Sequence, residues 1–202
     1  MRGYVLAGGG STRFGRDKAL VEIDGKPMLL RMRELLATVA SEVNVVTAPA
    51  KYASIGVHSV ADRWPGQGPL GGIITALRHS EADDSQCQWN LMVSCDMPFL
   101  TREWMVFLVQ RAADSAAQVV LPRSQHGPEP LCACYKTTAG RALQAAFEAG
   151  VRKVTQALLE VQTEVLDEAD WKRFDIGGRL FWNMNTPAEY AEARRILKAA
   201  HT

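Results

Sequence analysis

Apolar residues recur along this chain in two rhythms. Short continuous runs occur in "GYVLA", "EVNVVTA", "GVHSVAD", "WNLMVSCD", "AQVVLPR", "PLCACYK" and "TEVLD". Between them lie stretches with apolar residues three and four apart: "MLLRMRELLATVA", "GGIITALRHSE", "REWMVFLVQRAAD", "GRALQAAFEAG" and "TPAEYAEARRILKAA". Runs of the first kind predict strands, and spacing of the second kind predicts helices. The first strand is expected over Tyr4 to Ala7 and the third ends at Asp62. The order strand, helix, strand, strand, helix, strand, helix predicts an α/β fold with a largely parallel sheet. Continuous rather than alternating apolar strands suit a sheet covered on both faces.

The residues between the runs punctuate them. Asp24-Gly25 predicts a turn, and Pro27 suits the start of the following helix. "RWPGQGPLGG" reads as a loop, with a helix restarting at Gly71. Thr101 suits an N-cap with Glu103 in the first turn, Gly150 ends a helix, and Thr186 caps the last helix with Pro187 at its first position. There are no repeats, low-complexity stretches or linkers, so residues 1–202 read as one domain. Gly8 to Gly10, Asp62 and Asp96 each follow a predicted strand. In open α/β sheets that is the edge where ligands bind.

Composition narrows the function. The chain has 202 residues, enough to bury roughly 70% of its unfolded surface. A net charge of +1 excludes the broad basic footprint of a nucleic-acid binder, so any anion site must be local. Cys87, Cys95, Cys132 and Cys134 form no paired zinc spacing and read as reduced, buried small hydrophobes, with Cys132 and Cys134 on one strand face. The four histidines show no metal spacing. No leader pattern or membrane-length apolar run is present, and the expectation is a cytoplasmic protein away from membranes.

The local anion site is "LAGGGSTRFGRDK", Leu6 to Lys18. The Walker pattern fails, because Arg16 and Asp17 follow Gly15 in place of Lys and Ser/Thr. The dinucleotide fingerprint fails, because Arg13 occupies its last glycine position. Glycines still let backbone N–H groups approach an oxyanion, Arg13 can form two parallel bonds to it, and Lys18 adds a point charge. The glycines alone are equally compatible with a surface loop carrying solvated charges.

"LAGGGSTRFGRDKAL" resembles the signature of the nucleotidyltransferases with a glycosyltransferase-A-like fold, and within them the molybdenum cofactor guanylyltransferases. Their pattern, LAGG-x-S-x-R-(M/F)-G-x-D-K, is matched by Leu6, Ala7, Gly8, Gly9, Ser11, Arg13, Phe14, Gly15, Asp17 and Lys18. "GPLGGI" (68–73), "CDMPFL" (95–100) and "NMNTPAEY" (183–190) continue the resemblance in order along nearly the whole chain. It implies a Rossmann-like three-layer sandwich with a mostly parallel central sheet. The N-terminal half would bind nucleotide and the C-terminal half an acceptor.

The activity implied is transfer of GMP from GTP to the phosphate of molybdopterin, releasing pyrophosphate. Leu6, Ala7, Gly8 and Gly9 would meet the base, and Arg13 and Lys18 the triphosphate. Asp96 would hold Mg2+, where a turn or cap aspartate is the plainer reading without the motif. Asp62 would help hold the nucleoside, or is a turn residue before Arg63. Thr47 aligns with a base-contacting position that is Asn in some relatives. Asn183 and Asn185 would border the acceptor site from one strand face, with Asn185 also suited to cap the last helix. Glu129 in "GPEPLCACYK" stands where His is common.

The related cytidylyltransferases usually carry LAAG, so Gly8-Gly9 favours GTP over CTP. The fold also admits a GTP-binding regulatory protein without catalysis, which Arg13, Lys18 and Asp96 argue against, and sugar-1-phosphate nucleotidyltransferases, which tend to be longer. A monomer is expected, with transient contacts to molybdoenzymes or other proteins of cofactor biosynthesis.

Overall fold

The apolar runs form the strands of one central sheet. A computed structural model describes residues 1–8, 17–57, 59–83 and 87–199. Gly9 and Arg13, with Ser11, Phe14, Gly15, His58 and His201, lie outside the described residues. Strand β1 (Arg2–Leu6) begins two residues earlier than expected. Its first residue, Arg2, is buried, 8% exposed, and pairs with Glu42 of the neighbouring strand. A 3-10 turn (Lys18–Leu20) leads to β2 (Glu22–Ile23) and β3 (Lys26–Pro27), a two-stranded ribbon closed by Asp24 and Gly25. Both turn residues have positive φ, 53° and 72°, the conformation that a two-residue hairpin turn demands.

Helix α1 (Met28–Ala37), β4 (Glu42–Thr47), β5 (Ser59–Ala61), α2 (Pro69–Asp83) and β6 (Trp89–Ser94) complete the first half. Helix α2 begins two residues before the expected Gly71, with Pro69 at its first position, where a fixed φ and a missing N–H cost nothing. The second half contains α3 (Arg102–Asp114), β7 (Val119–Ser124), β8 (Gly127–Pro128), β9 (Cys132–Lys136) and α4 (Ala139–Glu148). It ends with α5 (Val154–Ala157), β10 (Thr163–Leu166), α6 (Glu168–Trp171) and α7 (Pro187–Ala199). The Thr101 hydroxyl accepts from Trp104 N at 3.2 Å, as expected of an N-cap. Among the described residues no helix is long and apolar enough to cross a membrane.

The strand order is β10-β7-β9-β6-β1-β4-β5, with β8 paired to β7. Strands β4, β1 and β6 run parallel, as do β4 with β5 and β7 with β10. Strand β9 is antiparallel to both of its neighbours. The chain moves from β1 outward to β4 and β5, then crosses back to β6 on the other side of β1. That reversal opens a crevice beyond the C-terminal ends of β1, β4 and β6.

Each strand feeds both faces, because successive side chains point oppositely. Val5, Val45, Leu91 and Val93 pack toward α1 and α3, with Leu29, Leu36, Met105 and Leu108. Tyr4, Val46, Met92 and Tyr135 pack toward α2 and α4, with Ile73, Leu77, Leu143 and Phe147. The result is the expected three-layer α/β arrangement with a mostly parallel sheet. All four cysteines are buried and free. Burial pushes the Cys95 and Cys132 thiols up to about 12, so both stay protonated and behave as small hydrophobes.

Candidate active site

The crevice edge gathers residues from five separate segments. The lining of a cavity of about 310 Å³ includes Leu6 at the end of β1 and Gly8 beyond it, Asp62 after β5, Gly68 and Pro69 at the start of α2, Ser94 at the end of β6 and Asp96 beyond it, and Leu131 before β9. Gly68 has a φ of +88°, which turns the chain into α2. Gly68, Pro69 and Gly72 line the cavity, so the helix N-terminus, whose first N–H groups have no intrahelical partner, stands at its wall. Gly71 lets α2 approach Trp64 closely. A methyl at Gly71 would lie 3.0 Å from Trp64 Cβ, and one at Gly72 would meet Leu6.

Asp96 is held on three sides. Its Oδ1 accepts from Ser94 Oγ at 2.6 Å, its backbone carbonyl accepts from Met184 N at 2.9 Å, and its Oδ2 lies 3.6 Å from Lys18 Nζ. Lys18 also donates to Asn185 Oδ1 at 2.9 Å, a contact across 167 positions of sequence. Lys18 and Asp96 expose 17% and 18% of their side chains, so the pair is shielded from water yet reachable. Asn185 N and Thr186 N both donate to Glu189, whose own N–H returns to Thr186 Oγ1. This is the capping box that starts α7. Burial raises the Glu189 carboxyl, but those N–H donors, the Thr186 hydroxyl and the Lys18 charge outweigh it and hold it below the usual carboxylate range.

Among the described residues, no three His, Cys, Asp or Glu side chains converge as a metal cage. Two carboxylates line the cavity, Asp62 and Asp96, and Asp96 is the one beside Lys18. A hard carboxylate oxygen there fits a cation that keeps several waters and completes its shell with substrate phosphate oxygens, as Mg2+ does.

Asp62 accepts from Trp64 N at 3.0 Å and Thr75 Oγ1 at 3.3 Å through Oδ1. Its Oδ2 lies 3.3 Å from where a methyl at Gly8 would sit. Thr47 differs from its expected placement. It is fully buried, does not line the cavity, and its hydroxyl donates to the Ala7 carbonyl at 3.3 Å. Its side chain is spent on holding the end of β1. Ala7 is buried as well, 4% exposed, with its N–H given to Val46, so its side chain offers little surface.

Asn183 and Asn185 are not on a strand. The segment from Trp182 to Asn185 is irregular and meets the sheet edge through Met184 N, which donates to the Asp96 carbonyl. Phe181 and Met184 bury, Asn183 turns back to the Phe181 carbonyl, and Asn185 reaches Lys18. The structure thus joins Lys18, Asp96 and Asn185, and brings Leu6, Gly8 and Asp62 to the same cavity.

Sequence reading missed Ser94, Tyr52 and Glu189. The "SCD" spacing puts a hydroxyl within reach of Asp96 and was a usable signal for Ser94; Tyr52 had none nearby in sequence. It also missed a second cavity of about 460 Å³ walled by Trp171, Phe181 and Trp182 with Arg123, His126 and Lys172. Glu129 accepts from the hydroxyl of Ser124, which lines the second cavity, at 2.6 Å. Burial pushes its carboxyl up, and the charge of Asp96 adds to this; Ser124 and His126 offset it in part.

The sequence profile of the family described as MobA-like NTP transferase domain matches residues 3–163. The chain belongs to that family. It is 31% identical over 93% of its length to a probable molybdenum cofactor guanylyltransferase of Deinococcus radiodurans, covering 91% of that protein. It is 30% identical over 99% of its length to a protein of the same description from Pelotomaculum thermopropionicum, covering 95% of it. The crystal structure of molybdopterin-guanine dinucleotide biosynthesis protein A from Archaeoglobus fulgidus superposes with a TM-score of 0.83 at 26% identity. That match covers 98% of this chain and all of the other. As a MobA-like protein the chain is a nucleotidyltransferase, and its three-layer sandwich is the nucleotidyltransferase fold of that neighbour.

Proposed function

We propose that this MobA-like enzyme transfers GMP from GTP to the terminal phosphate of molybdopterin, releasing pyrophosphate. The observation that carries the reading is the Lys18, Asp96 and Asn185 cluster at the rim of the crevice. It sets one cation and one carboxylate beside the cavity, where a triphosphate would lie. The descriptions of the two relatives and the solved neighbour support guanine and molybdopterin as the substrates.

In this reading an acceptor phosphate oxygen attacks the α-phosphorus of GTP. The bond from that phosphorus to the bridging oxygen breaks, and pyrophosphate leaves with the electron pair. Lys18 neutralises charge building on the leaving group, and Arg13 is the second cation proposed for that task. Asn185 holds Lys18 in place while its other contacts form. The N-terminus of α2 adds N–H groups and a partial positive charge facing the phosphates. Asp96 would hold a divalent cation, with Mg2+ suited to its hard carboxylate oxygen, and that ion would supply further charge neutralisation along the triphosphate. Ser94 fixes Asp96 by bonding one of its two oxygens.

Nucleoside choice would rest on the wall that Gly8 and Asp62 share. Asp62 Oδ2 could accept from guanine N–H groups or ribose hydroxyls. The absent methyl at Gly8 leaves room beside that oxygen for a purine. The aromatic walls of the second cavity suit a flat pterin, and Asn183 follows Trp182, one of those walls, in the chain.

The test is pyrophosphate release with Mg2+, molybdopterin and GTP, CTP or ATP in turn. Turnover with GTP alone is expected. Gly8→Ala should lower GTP turnover by about tenfold, the effect of roughly one misplaced methyl group, with a smaller loss for CTP. Efficient turnover of CTP by the unaltered enzyme would overturn the guanine assignment. GTP binding without turnover would favour a regulatory protein instead.

A further inference from the structure

We infer that Tyr52 is a positioning residue for the nucleotide site, acting through Asp17. The inference rests on the reading that Lys18 meets the triphosphate. Tyr52 lies outside the signature stretch and is 1% exposed. Its hydroxyl donates to Asp17 Oδ2 at 3.0 Å and lies 3.3 Å from the Ala7 carbonyl oxygen. Ala7 and Asp17 bracket the glycine-rich stretch, so one buried hydroxyl touches the chain on both sides of it.

The bond to Asp17 is the one that matters for charge placement. Asp17 Oδ1 accepts from Ala19 N at 3.1 Å and so starts the 3-10 turn that carries Lys18. Lys51 Nζ reaches Asp17 Oδ2 at 2.8 Å and lies 4.9 Å from the centre of the Tyr52 ring. The carboxylate is therefore fixed from one side by a hydroxyl and an ammonium, and from the other it fixes a backbone turn. Lys18 leaves that turn toward Asp96 and Asn185. The single hydroxyl proton cannot satisfy both oxygens fully. Thr47 also donates to the Ala7 carbonyl, which leaves Tyr52 to serve Asp17.

Tyr52→Phe tests this, because it keeps the ring and removes only the hydroxyl. GTP binding is measured by titration calorimetry, turnover by pyrophosphate release, and exchange of the Ala19 amide by NMR. The variant should raise KM and Kd for GTP about three- to tenfold, the scale of one lost hydrogen bond, and leave kcat at saturating GTP within about twofold. Ala19 amide exchange should quicken by a similar factor without nucleotide. Combined with Asp17→Asn, Tyr52→Phe should add little, since both break the same link. Unchanged GTP affinity and unchanged Ala19 exchange would overturn the inference, as would fully additive effects in the double variant. If the unaltered enzyme neither binds nor turns over GTP, the functional reading has failed, and the Ala19 exchange rate still decides whether Tyr52 holds the turn.

Discussion

Asp96→Ala is expected to lower Mg2+-dependent pyrophosphate release by ~10²–10³-fold, the scale of removing one preorganised charge-stabilising group. The strand that delivers Asp96 is buried along Trp89 to Val93, so the position of the carboxylate is set by the core. Ser94 bonds one of its oxygens, and the other faces Lys18. Removing the carboxylate takes from Lys18 the anion it faces and removes a hard oxygen donor from the cavity. Asp96→Asn is the companion variant, since it keeps the shape and the Ser94 contact but loses the charge. Both should retain the far-ultraviolet circular dichroism of the unaltered protein. Wild-type rates in both would remove Asp96 from the mechanism.

Trp104→Ala should destabilise the fold by about 3–5 kcal/mol, read from urea unfolding at neutral pH. Trp104 is fully buried in α3 and donates its indole N–H to Cys132 Sγ at 3.2 Å. Its ring meets Phe181 edge-on at 5.5 Å and contacts Phe107 and Phe174 at 5.8 Å each. Phe181 in turn meets Trp171 edge-on at 5.1 Å. This cluster ties α3 and β9 to the chain that runs into Met184 and Asn185. Truncation opens a large cavity and leaves a weak sulfur acceptor unpaired. Trp104→Phe, which keeps most of the volume, should cost markedly less. A loss of under about 1 kcal/mol for Trp104→Ala would mean that the aromatic cluster does not anchor this segment.

The tryptophan also illustrates the limits of sequence reading. Its position on a helix and its N-cap at Thr101 are legible locally. Its partners Phe174 and Phe181 are 70 or more positions away in a stretch with no clear period. The Asn183 to Asn185 spacing looked like a strand because alternate residues share a face there. A strand also needs a ladder of bonds to a neighbour, and the structure forms no strand over these residues. Thr47 aligned with a contact position, but its depth in the core directs its hydroxyl to Ala7. The direction of β9 was likewise set by its pairing with β6 and β7, not by its own residues.

The sequence by itself determined the α/β layering, the turn at Asp24-Gly25, the caps at Thr101 and Thr186, and the delivery of Gly8, Asp62 and Asp96 to strand ends. Each of these depends on residues within a few positions of one another, where sterics and local hydrogen bonds decide. Tertiary structure alone decided the strand order, the meeting of Lys18 with Asp96 and Asn185, and the hold of Tyr52 on Asp17. Those contacts join segments from 35 to 167 positions apart. Only the burial of two sheet faces at once brings them together, and no local pattern encodes which distant side chains that burial will bring into contact.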